Sequence, residues 1–204
     1  MRKIYLFCLF YCLFFTFNSN AQAFGGKGSK QLSIGLGVSK YNTWYPENNK
    51  ALKGNFKPIS TQLSFNGEFG IAKYIGIGFS IGADFCLDPE NGFYGDFLFY
   101  EKHFYSFNIP VGAFGNFHFL QLINDLTKKD FAKNLDVYVG VDFGAGPSFL
   151  FPRQNFKSYG KDRGYLLYGG PHVGIRYFTK EKLGVYAEVG YGYSFLNGGI
   201  IFKF

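Results

Sequence analysis

The chain has 204 residues and a formal net charge of +7, and 22% of it is aromatic while only 17% is charged. After residue 23 no apolar run approaches the roughly 20 residues that a membrane-spanning helix needs, and no amphipathic helical period of useful length is present. The basic residues are scattered, without the basic helix or basic and aromatic sheet of nucleic-acid-binding proteins, so we expect no nucleic-acid partner.

The first residues have the features of a secretory signal peptide. Arg2 and Lys3 supply a positive start, an apolar run covers residues 4–17, and Ala21-Gln22-Ala23 has the small-x-small pattern of a cleavage site. The apolar run is too short for a transmembrane anchor. We therefore predict a signal peptide over residues 1–23, cut after Ala23, and one domain over residues 24–204.

Apolar residues alternate with small or polar ones through most of residues 24–204. In the stretch 75–85 the apolar positions alternate with Gly76, Gly78, Ser80, Gly82 and Asp84. Near the end of the chain, Leu183, Val185, Ala187, Val189, Tyr191 and Tyr193 share one face. A period of two is typical of β-strands with one apolar face. The predicted strands are 30–38, 60–71, 75–85, 106–119, 135–145, 164–178, 183–194 and 198–204.

Apart from Lys30 at the first position of the first strand, the apolar faces of these strands contain no Asp, Glu, Lys or Arg, whereas Gly, Ser, Asn, Asp and Glu occupy the opposite faces. A soluble barrel would place its apolar residues inside. A lipid-facing surface excludes charge, since Arg or Lys at the bilayer midplane costs about 2–4 kcal/mol. We therefore predict an all-β fold, an eight-stranded antiparallel transmembrane β-barrel with up-and-down topology, preceded by the cleaved signal peptide.

The connections and two prolines refine this prediction. Long segments at 41–58, 86–105 and 147–163 fall on one side of the membrane, as external loops do in outer-membrane barrels, and 121–134 is a medium-length turn on the other side. Pro110 and Pro171 lie within predicted strands and cannot donate a ladder hydrogen bond. We expect a bulge or a register shift at each.

The inward faces carry charged residues and histidines that predict a polar network in the lumen. Glu68, His118, Asp136, Arg176 and Lys203 are expected near the periplasmic end, with Asp142, His172 and Glu188 near mid-height; Asp84 also points inward. An ion or proton path is the alternative interpretation. We favour a closed lumen filled by paired polar side chains, because eight strands enclose just enough space for side chains.

The sequence also allows an outer-leaflet lipid A-modifying enzyme, for which Asp96, Glu101, His103 and Ser106 lie at a suitable level. Their spacing matches no catalytic motif, so we expect no catalytic residues and no enzyme activity. The three histidines lie on different elements, so neither a metal site nor a cofactor is expected.

The predicted loops are aromatic and basic, which suits either a binding face or an interfacial girdle that contacts lipopolysaccharide phosphates. We favour the girdle. The residues are Trp44, Tyr45, Phe93, Tyr94, Phe97, Phe99, Tyr100, Arg153, Lys157, Lys161 and Arg163.

Four short motifs carry a resemblance to a known family. They are Ala21-Gln22-Ala23, Asn108-Ile109-Pro110-Val111, Gly190-Tyr191-Gly192-Tyr193-Ser194 and Phe202-Lys203-Phe204. Together with the strand pattern, they resemble the outer-membrane β-barrel domain family common in Bacteroidota. The resemblance implies that Phe202 and Phe204 form the signal read by the barrel assembly machinery, and that the protein lies in the outer membrane of a Gram-negative bacterium.

These features favour an integral outer-membrane protein with a closed lumen and a structural or surface-interaction role. A narrow porin-like channel is the first alternative and the lipid A enzyme is the second. The expected partners are outer-membrane lipids, lipopolysaccharide and the assembly machinery, and a surface ligand or partner chain is left open.

Overall fold

The computed structural model describes residues 23–40, 42–44, 55–56, 59–87, 104–128, 133–152 and 162–204. Within these ranges the chain is mainly strand, with a single short helix. The elements are β1 (Lys30–Lys40), β2 (Asn42–Trp44), β3 (Asn55–Phe56), β4 (Ile59–Gly70), β5 (Ile75–Leu87), β6 (Phe104–Asn108), β7 (Val111–His118), α1 (Phe119–Thr127), β8 (Leu135–Pro152), β9 (Asp162–Phe178), β10 (Leu183–Gly190) and β11 (Leu196–Lys203).

Antiparallel pairing closes the strands into a ring. β1 pairs with both β4 and β11, and the pairing continues through β5, β8, β9 and β10. β6 and β7 both lie between β5 and β8, so together they act as one strand of the ring. The ring has eight strands, which confirms the predicted fold class.

The two faces of the ring follow the predicted alternation. In β8, Val141 and Phe143 are 60% and 66% exposed, whereas Asp142 between them is 6% exposed. In β5, Ile77 and Ile81 point outward and the side chain of Ser80 is buried inside. Large apolar side chains therefore cover the outer wall, and polar side chains fill the interior.

The register does not shift at Pro110. Asn108 pairs with Asp84 and Val111 pairs with Ile81, and both pairs belong to one continuous register. The ladder loses one donor at the proline, but its carbonyl still accepts a backbone hydrogen bond of 2.9 Å from β5. The expected bulge or shift is wrong here, because the hydrogen bonds on either side keep the strands aligned.

Pro171 is also free of a bulge. It pairs with Val141 of β8 in an unbroken register. On its other side β10 ends at Gly190, and the Tyr191 N–H donates to the Pro171 carbonyl at 2.9 Å. The missing proline donor falls where the neighbouring strand stops, so the ladder needs no irregularity.

The last hairpin differs from its prediction. The alternation places both Tyr191 and Tyr193 on the lipid face, but Tyr191 is 79% exposed and Tyr193 only 3%. β10 ends at Gly190, and residues 191–195 form a turn that folds into the lumen. Alternate residues share one face only within a strand, so the alternation no longer predicts side-chain direction after β10 ends.

The outer part of β9 has a different neighbour. Thr43 of β2 pairs with Leu166 of β9, beyond the point where β10 stops, and β3 pairs with β2 in turn. The segment after β1 therefore crosses above the short β10–β11 turn and completes the wall at that end.

The connection between β7 and β8 contains the helix α1, where the sequence predicted a strand to residue 119 and then a turn. Phe119, Leu122, Ile123 and Leu126 have helical spacing over little more than two turns, a window too short to stand out from the sequence. The helix ends at Lys128, which takes the left-handed conformation at φ 54°. In the part of the chain that the structure describes, no helix is long and apolar enough to cross a membrane.

Candidate functional site

Glu68 is the centre of the polar network near the end of the barrel that holds the short turns. Its Oε1 lies 2.8 Å from His118 Nε2, and its Oε2 accepts from Asn116 Nδ2 at 2.9 Å. The same Oε2 forms an ion pair with Arg176 Nη2. The Glu68 carboxylate, 3% exposed, thus keeps its charge compensated without water.

His118 joins a second carboxylate to this centre. Its Nδ1 lies 2.9 Å from Asp136 Oδ2, so each ring nitrogen faces a carboxylate. A neutral imidazole has only one N–H, whereas the imidazolium donates from both nitrogens. The geometry therefore fits a charged His118, held between Glu68 and Asp136.

Arg176 completes the cluster through three further neighbours. Its Nη1 donates to Gln31 Oε1 at 2.8 Å and lies 3.7 Å from Asp136 Oδ2. The guanidinium also lies over the Tyr138 ring, 4.0 Å from the ring centroid. Both terminal nitrogens thus meet acceptors and the guanidinium meets a ring, whereas the buried Nε has no hydrogen-bond partner among the described residues.

Strand register explains why these residues meet. Asp136 lies directly opposite Arg176, and Glu68 directly opposite Gln31. Glycines on neighbouring strands leave space for these side chains. A Cβ at Gly76, for example, would collide with the Glu68 side chain. Residues that are distant in sequence converge because they share the inward phase and a height in the wall.

A second group of polar residues lies nearer mid-height and is linked to the first by Asn116. His172 Nε2 lies 2.7 Å from Asn116 Oδ1, and His172 Nδ1 lies 3.5 Å from Asp142 Oδ2. Glu188 accepts from the Tyr138 hydroxyl at 2.9 Å and lies 4.0 Å from His172 Nε2. Through Asn116 and Tyr138 the two groups therefore form one continuous network.

The inward-folded turn covers the network from the outer side. Both oxygens of Asp142 accept from the Tyr193 N–H, at 3.1 and 3.0 Å, and the Tyr193 ring packs on Tyr168 with centroids 5.3 Å apart. The Ser194 hydroxyl donates to Gln62 Oε1 at 2.6 Å. These contacts fix the turn inside the barrel.

Residues before β1 cover the network from the opposite side. Phe24 stacks on His118 at 3.5 Å, and Ala23 packs with Phe178 and Ile201. Gln31 Nε2 donates to the Ala23 carbonyl at 3.1 Å. Between the two covers, the lumen keeps about 30 Å³ in which a water-sized molecule can be centred, or room for about two waters.

The structure brings seven of the eight proposed lumen residues into this network and places Lys203 apart from its centre, with the ammonium 5.4 Å from the Phe178 ring centroid. Gln31, Asn116 and Tyr138 were not proposed as members. They occupy inward positions of the alternation, and a search restricted to charged residues and histidine passes over them. Including every inward polar residue would have found them.

The other proposed residues are placed as follows. Ser106 is 1% exposed and faces the lumen, whereas Asp96, Glu101 and His103 lie outside the described residues. Of the aromatic and basic loop residues, only Trp44 and Arg163 fall within described strands. Among described residues, no three His, Cys, Asp or Glu are arranged to hold a metal ion.

The signal-peptide cleavage site and the C-terminal assembly signal stay predictions. Ala21 lies outside the described residues. Ala23 is buried in the mouth of the barrel, and cleavage after it would remove it and so leave the cover at this end to Phe24. Phe202 and Phe204 point outward at the end of β11, where the Phe204 N–H donates to the Lys30 carbonyl at 3.0 Å.

Comparison with protein-family models gives no match, and comparison with curated proteins gives none either. Among solved structures, the chain is similar to the outer membrane protein OprG from Pseudomonas aeruginosa, with 11% identity, a TM-score of 0.50, and coverage of 92% of this chain and 99% of that one. The N-terminal β-barrel domain of Pseudomonas aeruginosa OprF has 12% identity, a TM-score of 0.48, and coverage of 88% and 99%. Ail, the attachment invasion locus protein of Yersinia pestis, has 11% identity, a TM-score of 0.43, and coverage of 87% and 96%.

At these identities the likeness concerns the fold alone. The closed ring, its apolar outer wall and its polar interior agree with that likeness. The chain therefore has the fold of the eight-stranded outer-membrane β-barrels.

Proposed function

We propose that the protein is an integral outer-membrane barrel whose closed lumen makes it a rigid structural or surface-interaction scaffold. The observation that carries this proposal is the filled interior. The Glu68–Arg176 cluster and its neighbours occupy the lumen, Phe24 and Tyr193 cover it from the two ends, and the centre of a water-sized molecule has about 30 Å³ open to it.

A filled interior favours the scaffold over the porin-like alternative. A conducting pore needs a continuous column of water, and ions must leave their binding sites readily. Here the cation Arg176 is paired with Glu68, and the cavity has room for about two waters. A paired network of this kind fixes the shape of the barrel.

The proposed location is the outer membrane of a Gram-negative bacterium, of the Bacteroidota type that the sequence resembles. The uncharged outer wall supports contact with lipid, and the exposed Phe202 and Phe204 at the end of β11 support recognition by the assembly machinery. Lipopolysaccharide is the expected outer-leaflet neighbour. The proposed role requires no catalysis.

The test combines electrophoresis with bilayer recording on the predicted mature protein, residues 24–204, refolded in detergent. We expect the unboiled and boiled protein to migrate differently, and we expect no stepwise conductance in a planar bilayer. Equal migration would contradict the membrane barrel. A stepwise conductance from heat-modifiable protein would contradict the closed lumen and favour the porin-like alternative.

A further inference from the structure

Helix α1 turns its polar side toward the barrel and its apolar side away from it. Gln121 is 5% exposed, whereas Leu126 is 74% exposed and Ile123 39%. Phe119, Leu122, Ile123 and Leu126 recur at three- and four-residue spacing and so share one face. A surface helix in water has the opposite arrangement, with its apolar stripe against the core.

Specific contacts set this orientation. The Tyr74 hydroxyl donates to Asp125 Oδ2 at 2.7 Å, and the Lys73 ammonium lies 2.7 Å from the same oxygen. At the start of the helix, the His118 N–H donates to the Tyr74 carbonyl at 2.8 Å. The turn between β4 and β5 thus holds the polar side of α1 and leaves its apolar side facing away from the barrel.

The apolar face of α1 continues the outer wall of the barrel. Phe117, just before the helix, is exposed on that wall, and its ring lies 6.4 Å from the Tyr74 ring. Ile71 and Ile75 form the exposed edge of the same wall beside that turn. The surface that meets lipid along the strands therefore extends onto the helix.

The position of α1 and the two lysines beside it indicate which leaflet it meets. The helix lies at the end of the barrel that contains the beginning of β1, the end of β11 and the turn at 179–182, the end that faces the periplasm in such barrels. The helix itself carries no Lys or Arg, but Lys73 on the adjacent turn and Lys128 just after the helix are exposed beside it. Exposed lysines at this level can lie near lipid headgroups, as the basic residues of interfacial helices do.

We propose that α1 is an interfacial helix that lies in the periplasmic leaflet, with Phe119, Leu122, Ile123 and Leu126 among the acyl chains and Lys73 and Lys128 near lipid phosphates. This inference rests on the proposed membrane location. It assigns to the helix a binding surface whose ligand is the phospholipid leaflet itself.

The test uses tryptophan fluorescence in vesicles of brominated phosphatidylcholine. Trp44 is the single tryptophan of the chain, so Trp44→Phe gives a silent background. Leu126→Trp probes the helix, Val141→Trp probes the outer wall of β8, and Glu181→Trp probes an exposed turn at the same end as α1. Each variant is refolded into lipid brominated near the headgroup or near the bilayer centre.

We expect the Leu126→Trp fluorescence to be quenched by the shallow bromines more than by the deep ones, since an interfacial helix is buried about 5–10 Å into the headgroup and acyl boundary. Glu181→Trp should not be quenched. If Val141→Trp is quenched and Leu126→Trp is not, α1 projects into water or contacts a protein, and the inference fails while the membrane barrel stands. If neither is quenched, the proposed membrane location fails.

Discussion

The ring of Phe24 stacks face to face on the ring of His118, with centroids 3.5 Å apart and an interplanar angle of 8°. Phe24 is 1% exposed although it precedes the first strand of the barrel. Since His118 fits the charged form between Glu68 and Asp136, the stack places an aromatic face against a cation. One side chain thereby both covers the lumen and contacts its network.

Removing this cover should admit water to His118. We expect Phe24→Ala to increase the rate at which the Cε1 proton of His118 exchanges with deuterium, measured by mass spectrometry of histidine-containing peptides. His172 lies nearer mid-height, so its rate in the same sample serves as the internal control and should stay unchanged. An unaltered rate at His118 would mean that other residues seal this end.

Neutralising Glu68 should destabilise the barrel strongly. Glu68→Gln leaves Arg176 and His118 without their shared partner, and breaking a buried ion pair typically costs about 3–5 kcal/mol. Urea unfolding in lipid vesicles, followed by the loss of heat-modifiable migration, measures this change. Glu181→Gln, in an exposed turn, is the matched control and should change stability by less than about 0.5 kcal/mol.

The inward turn at 191–195 should be sensitive to a single methyl group. A Cβ at Gly192 would fall on the Asp142 carboxylate, which holds the Tyr193 N–H. We expect Gly192→Ala to lower the free energy of unfolding by about 1–3 kcal/mol through overpacking. The nearest atom to a Cβ at Gly115 is 3.9 Å away, so Gly115→Ala should be tolerated. Equal stability of the two variants would show that the turn lies outside the lumen.

The contact between α1 and the β4–β5 turn should weaken in acid. Lys73, followed by the Tyr74 hydroxyl, binds the Asp125 carboxylate and lowers its pKa. Because this pKa is lower in the folded protein, the stabilisation is present above the usual aspartate value of about 3.9 and is lost as the pH falls through the folded value.

Carbon-13 NMR of the Asp125 carboxyl in detergent micelles measures this pKa directly. We expect Lys73→Met to raise it toward the usual value and Lys182→Met, in an exposed turn, to leave it unchanged. A midpoint that is the same in all three proteins would show that Lys73 and Asp125 do not interact in solution.

The outer wall could be predicted from the sequence because a strand has only two faces. Once Val141 and Phe143 point to lipid, Asp142 has to point inward. The ring, its phase and the group of inward charges follow from that constraint together with the strand order.

Two departures occur where the chain leaves regular strand geometry, and a third where the chain keeps a register that was expected to shift. Tyr193 continues the apolar alternation in sequence, yet hydrogen bonding of its N–H to Asp142 turns the chain inward. The apolar spacing in α1 spans too few turns to be distinguished from a loop. Pro110 keeps its register because its neighbours supply the alignment. In each case contacts with residues distant in sequence determine the local conformation, and these contacts leave no mark on the local sequence pattern.

The pairing of β2 with β9 has a consequence for how the barrel assembles. Asn42 meets Leu167, so this contact joins the beginning of the domain to a strand near its end, across the β10–β11 turn. Contacts between residues so far apart in sequence form late, because a large loop must close first. The turn that carries Tyr193 should therefore enter the lumen before β2 is laid across it. At the outer mouth, β2 then holds the buried turn in place behind it.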